Sequence, residues 1–244
     1  MIAEVRGNHK GNLEIAKKLI HCSGENCFAY STSVWDLTSA KEMAALNPPL
    51  LKIPSATNQH YDLQGYLCEN YAGEIYVSTG QEIVDLVNFY AERDRAQGLV
   101  VYSCTSDYSV AFEDICLFEI RNLMEKSGAS VKGIDFSGNH LGTFVDVAAL
   151  AVGRAMESDG KGKFTHIERH FTLGSHQERH RLRRQPRARR AASPSRDLKN
   201  VDGALAYKSK DILPVEQVQH DKLKWVKEDR PPPPAVEYPP EGQT

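Results

Sequence analysis

An incomplete TIM-type (β/α)8 barrel, of the α/β class, is the fold this sequence predicts, and three observations lead to it. Short β-rich runs alternate with amphipathic segments at helical spacing, which implies a parallel sheet. Polar, chemically capable side chains recur at one end of successive runs, as they do at the mouth of a parallel barrel. No Gly-x-Gly-x-x-Gly turn follows the first strand, which sets a doubly wound sheet aside.

The predicted strands are Ile2–Val5, Phe28–Ser33, Leu50–Pro54, Glu74–Ser78, Leu99–Cys104, Val131–Ser137 and Thr165–His170. Between them, Leu13, Ala16, Leu19 and Ile20 recur at helical spacing, as do Ile83, Leu86, Val87 and Tyr90, and Leu117, Ile120 and Met124. Thr143–Met156 is apolar nearly all round, which predicts a helix buried on every side. Seven strands are one short of a closed eight. The shortfall falls at the second strand, where the first helix runs into Phe28 through residues 21–27 alone, so one βα unit is missing there. Such a gap is expected to leave two barrel edges unpaired.

The barrel proper spans 1–173. Residues 174–196 break the pattern with eight arginines, two prolines and Leu182 as the only large aliphatic residue. An amphipathic pattern returns over 197–226, which predicts C-terminal barrel helices. The tail 227–244 is rich in proline and is expected to be extended or disordered.

Composition narrows the class. Of 244 residues, 41% are hydrophobic and 25% charged, as in an ordinary soluble globular protein. No apolar run reaches the length of a membrane helix, and the N-terminus lacks the pattern of a secretory signal. The five cysteines (Cys22, Cys27, Cys68, Cys104, Cys116) form no C-x-x-C pair, which fits a reducing cytoplasm. The net charge of −2 hides seven arginines between Arg179 and Arg190, so the remainder is acidic. A nucleic-acid partner for the main domain is therefore not expected, and the Arg-rich segment lacks the interleaved aromatics of an RNA-binding module.

The strand ends carry the candidate chemistry. They offer Glu4, then Ser31-Thr32-Ser33, Lys52-Ile53-Pro54-Ser55, Ser78-Thr79-Gly80, Cys104-Thr105-Ser106-Asp107-Tyr108, Ser137-Gly138-Asn139-His140, and Glu168-Arg169-His170. Each hydroxyl alone is a turn or cap residue. Their recurrence at one rim, with a lysine, carboxylates and imidazoles, suits a phosphate and a divalent ion.

In their order, these motifs resemble the sialic-acid synthase family. Ile2-Ala3-Glu4 with Asn8-His9-Lys10-Gly11, Ser33-Val34-Trp35-Asp36, Lys52-Ile53-Pro54-Ser55, Ser78-Thr79-Gly80, Cys104-Thr105-Ser106 with Tyr108, and Glu168-Arg169-His170-Phe171-Thr172 carry the resemblance. It implies condensation of phosphoenolpyruvate with N-acetylmannosamine or a related N-acylated amino sugar, releasing phosphate. By resemblance, Lys52, Ser55, Ser78 and Ser137 hold phosphoenolpyruvate. Glu4, Glu168 and Tyr108 are the catalytic candidates, and His170 and His140 the metal ligands. The ion implied is Mn2+, with Mg2+ as the alternative. The resemblance is compatible with a homodimer, and pseudaminic or legionaminic acid synthesis and an inactive family member are the competing readings.

Three departures stand out. The family's Lys-Phe-Gln motif on its second strand has no counterpart here. Asn139 stands where the second metal histidine is expected, with His140 one residue later. Residues 174–196 stand in place of a Lys-Gly-Thr-Asp-His-like loop; two compensating reading-frame shifts would produce such a segment of preserved length, and a genuine variable basic loop is the alternative reading.

Overall fold

A computed structural model describes residues 1–4, 13–25, 28–79, 83–107, 109–170, 203–204 and 216–217. The Arg-rich segment 174–196, the tail 227–244 and nearly all of 197–226 lie outside these residues, as does Tyr108.

Among the described residues, seven strands and six α-helices of a turn or more alternate: β1 (Ile2–Glu4), α1 (Leu13–Glu25), β2 (Ala29–Ser31), α2 (Leu37–Leu46), β3 (Leu50–Ile53), α3 (Tyr61–Asn70), β4 (Glu74–Thr79), α4 (Ile83–Ala91), β5 (Leu99–Cys104), α5 (Phe118–Ser127), β6 (Gly133–Gly138), α6 (Phe144–Ser158) and β7 (Ile167–His170). Every pairing is parallel, in the order β2-β1-β7-β6-β5-β4-β3. The strands wrap into a nearly closed barrel. Its ends meet at a parallel bridge between Ser33 and Lys52, with Val34 N donating to Lys52 O at 2.9 Å and Lys52 N to Thr32 O at 3.1 Å.

That closure corrects the expectation of two unpaired edges. The strands on either side of α1, β1 and β2, pair directly from Ile2–Ala29 to Glu4–Ser31, and residues 21–25, expected as a connection, are the end of α1. The thin seam lies one strand further on, between β2 and β3. Two backbone hydrogen bonds join that last pair.

Period-two alternation divides each strand between two cores. Leu51, Ile53, Val77, Val101 and Ile134 face the helices and join Leu63, Leu86, Ile120 and Val145 in the outer core. Ile2, Leu50, Tyr76, Val100, Tyr102 and Cys104 form a small apolar cluster inside the barrel. Buried polar groups, among them Glu4, Lys52, Ser78, Ser137 and Glu168, share that interior, and they are the candidate site residues.

Helix α2 begins with a capping box. Asp36 Oδ1 accepts from Ser39 N at 2.7 Å, and Ser39 Oγ accepts from Asp36 N at 3.2 Å. Helix α6 is not buried on every side. It packs Val145, Ala149 and Met156 inward, while Val147 is 67% and Leu150 39% exposed. An outer-ring helix has a single face on the sheet, and alanines made the opposite face read as apolar. Gly153 lets the α6 backbone lie against the fully buried Phe164 ring.

Candidate active site

Strand register builds the site. Glu4 on β1 is aligned with His170 on β7, and Ile2 with Glu168. In aligned parallel strands, partnered side chains share a face, and residues two apart do too. Glu4, Glu168 and His170 therefore project into the same part of the barrel. Lys52 enters from β3, next to the closing bridge.

These residues form a buried charge cluster. Lys52 Nζ lies 3.1 Å from Glu4 Oε2 and also donates to Glu168 Oε2. His170 Nδ1 lies 3.1 Å from the same Glu4 oxygen. The Ser33 hydroxyl donates to Glu4 Oε1. The Lys52, Glu4 and Glu168 side chains are 6%, 2% and 1% exposed. The ammonium also stands 5.4 Å from the centre of the Tyr102 ring, on whose face a cation is favoured.

The two carboxyls are driven apart electrostatically. Burial alone raises Glu4, but the Lys52 ammonium, His170 and the Ser33 hydroxyl outweigh it and hold the group well below the usual carboxylate range. Burial dominates at Glu168, where Lys52 opposes it and the neighbouring Glu4 charge reinforces it, so that group is raised. Burial lowers Lys52, yet Glu168 and Glu4 together keep it charged and above its ordinary value. Glu168 Oε1, buried, has no hydrogen-bond partner.

The predicted serines stand around this cluster. Ser137 is aligned with Glu168 and Cys104, and Ser78 with Tyr102, which places both on the inner face. Both are buried, and the Ser78 hydroxyl has no partner. Ser55 follows β3 in a short 3-10 turn, and its hydroxyl bonds that of Ser106 in the loop after β5. Ser106 N in turn donates to Glu216 Oε1 at 2.9 Å, which ties Glu216 to this rim.

His140 is not brought to His170. It is buried elsewhere, between the Phe112 and Phe136 rings, with Arg169 NH1 2.8 Å and Asp146 Oδ1 3.3 Å from Nε2. Arg169 NH2 also donates to the His140 carbonyl at 2.7 Å. Alternation explains the difference: Asn139, two residues after Ser137, holds the inward position. Asn139 Nδ2 donates to Thr105 O at 2.9 Å and approaches Cys104 Sγ at 3.6 Å, and its Oδ1 is buried without a partner.

Sequence reasoning did not assign roles to Ser33, which braces Glu4, or to Tyr102, which lies under Lys52. Stepping by two from Ser31, which is aligned with Glu4, and from Cys104 would have found both. Among the described residues, Glu4, Glu168 and His170 form a group able to hold a metal ion, with one ligand atom from each within 4.8 Å of the others. Two carboxylates and an imidazole suit a Mn2+- or Mg2+-type ion.

Comparison with known proteins bears on the family and the fold. The chain is 27% identical over 248 residues to a Drosophila melanogaster N-acetylneuraminate-9-phosphate synthase, covering 89% of this chain and 63% of that protein. It thus spans less than two thirds of that relative's length. Among solved structures, it superposes on the Bacillus subtilis spore coat polysaccharide biosynthesis protein spsE with a TM-score of 0.63 and 19% identity, over 88% of this chain and 75% of that one. It superposes on the N-acetylneuraminic acid synthetase of Leptospira borgpetersenii serovar Hardjo-bovis with a TM-score of 0.53 and 16% identity, over 90% and 79%. At such identities the two structures establish the shared barrel fold. The sequence itself matches the NeuB family across residues 2–181, which is most of the chain, and the chain belongs to that family.

Proposed function

We propose that this chain condenses phosphoenolpyruvate with the open-chain aldehyde of an N-acylated amino sugar, giving a sialic-acid-type nine-carbon acid and inorganic phosphate. The observation that carries the reading is the meeting of Lys52, Glu4, Glu168 and His170 inside one barrel, with Ser78 and Ser137 on the same inner face.

C3 of phosphoenolpyruvate forms the new bond to the aldehyde carbon, whose oxygen takes up a proton. C2 becomes electron-poor, water adds to it, and phosphate departs to leave the ketone. Lys52 and the unpartnered Ser78 hydroxyl, with Ser55 and Ser137, are the donors suited to the phosphate and carboxylate oxygens. Glu168 Oε1 is a free buried acceptor, and a hydroxyl of the sugar satisfies it. Glu4, braced by the Ser33 hydroxyl, is an anion beside the reacting centre. Tyr108, assigned by resemblance, contacts the sugar.

A divalent ion fits the residues present, because Glu4, Glu168 and His170 offer a compact oxygen and nitrogen donor set. Once bound, such an ion polarises the aldehyde oxygen as a Lewis acid. A cytoplasmic setting, where phosphoenolpyruvate is available, belongs to the same reading.

The test is phosphate release from phosphoenolpyruvate with Mn2+, across N-acetylmannosamine, its 6-phosphate and diamino-sugar analogues. The phosphorylated sugar is included because the Drosophila relative is named for a 9-phosphate product. Sugar-dependent release supports the proposal and identifies the sugar. Absence of release with every sugar overturns it and favours an inactive family member.

A further inference from the structure

Lys52 stands where a divalent ion would have to compete with it. Its ammonium bonds Oε2 of both Glu4 and Glu168, and these two carboxylates with His170 make up the cation-binding group. The carboxylates cannot serve the ammonium and an ion fully at once. Glu168 Oε1, buried and unpartnered, is the one carboxylate oxygen of the pair with nothing bound to it.

We propose that ion and anion enter this barrel together by a charge exchange: a divalent cation takes Glu4, Glu168 and His170 from Lys52, and the freed ammonium becomes the seat of the anionic substrate. This rests on the synthase reading only for the identity of the anion. The reasoning is electrostatic. Two carboxylates and a divalent ion are neutral together, which leaves Lys52 as a buried cation without a counter-charge. An unpaired buried charge is strongly unfavourable. The ion alone therefore binds weakly, because it strands the ammonium. The anion alone also binds weakly, because Lys52 is already neutralised and the glutamates repel it. Bound together, each removes the other's penalty. By thermodynamic reciprocity, the factor by which the anion tightens the ion equals the factor by which the ion tightens the anion.

With Lys52 as the one lysine placed inside the described part of the barrel, anion affinity depends on when that lysine is released. An ion-triggered release keeps a single cation sufficient.

The test is calorimetric titration of the full chain with Mn2+, alone and in saturating phosphoenolpyruvate, and separately in saturating inorganic phosphate. The expected result is tightening of Mn2+ by about tenfold or more with either anion. In Lys52→Met, Mn2+ alone binds more tightly than to the unaltered chain, and the anion effect disappears. Mn2+ affinity that ignores both anions in the unaltered chain overturns the exchange, whether or not the variant folds. So does weaker Mn2+ binding by a folded Lys52→Met chain. Coupled Mn2+ and phosphate binding without turnover retires the synthase reading and leaves the exchange standing; turnover with independent binding does the reverse.

Discussion

Ser33 and Lys52 are joined twice over: their backbones form the bridge that closes the barrel, and their side chains both bond Glu4. The seam of the fold and the centre of the site are thus the same place. A barrel one strand short of eight closes where its charged cluster lies, so the stability of the closure and the state of the cluster are linked.

The first prediction follows from that linkage. Lys52→Met removes the counter-charge of two buried carboxylates and is expected to destabilise the ion-free chain by about 3–5 kcal/mol at neutral pH. Mn2+ should recover more stability in the variant than in the unaltered chain. Urea unfolding with and without Mn2+ measures both, and an equal Mn2+ effect in the two chains contradicts the prediction.

Gly153→Ala sets two effects against each other. Helix propensity favours alanine by about 1 kcal/mol. The added Cβ, however, falls within the Phe164 ring, with even Cδ1 at 2.7 Å, and overpacking costs about 1–3 kcal/mol. Phe164 is fully buried and has no room to retreat. The net effect should be destabilising, and a raised melting temperature would refute it.

Asp36→Ala removes one half of the α2 capping box. The expected loss is about 0.5–2 kcal/mol. Asp36→Asn should retain most of the stability, because the amide oxygen still accepts from Ser39 N. Thermal melts of the two variants compare them directly.

His140 gives a pH dependence. Burial lowers it below the ordinary histidine value, with the Arg169 guanidinium adding to the effect and Asp146 opposing it. Below about pH 6.5 the unfolded chain takes a proton that the folded one refuses. Stability contributed by this group is therefore present above pH 6.5 and is lost as pH falls toward the depressed folded value, by at most about 1.4 kcal/mol per pH unit. His140→Asn should flatten that part of the stability profile relative to the unaltered chain. An unchanged slope counts against the assignment.

The strands were legible because each is a short apolar run with polar ends, and all seven formed within a few residues of expectation. The inward set was legible in part: Lys52, Ser78, Ser137, Glu4, Glu168 and His170 share a face by simple alternation. His140 and Asn139 show the limit of motif matching, since one residue of offset moves a side chain across the sheet wall. The partnership of Lys52 was not legible at all. Glu4 is 48 and Glu168 116 residues away along the chain, and only the way the barrel closes brings them together. The exposure of Val147 and Leu150 was hidden too, because alanine and glycine in α6 blur its two faces.

The most direct measurement supplies phosphoenolpyruvate labelled with 13C at all three carbons, together with Mn2+ and the sugar panel, and weighs the products. The account predicts a nine-carbon acid carrying all three labelled carbons, formed one for one with phosphate and abolished by Glu168→Gln. Labelled pyruvate alone, or label left entirely in phosphoenolpyruvate with every sugar, would contradict it.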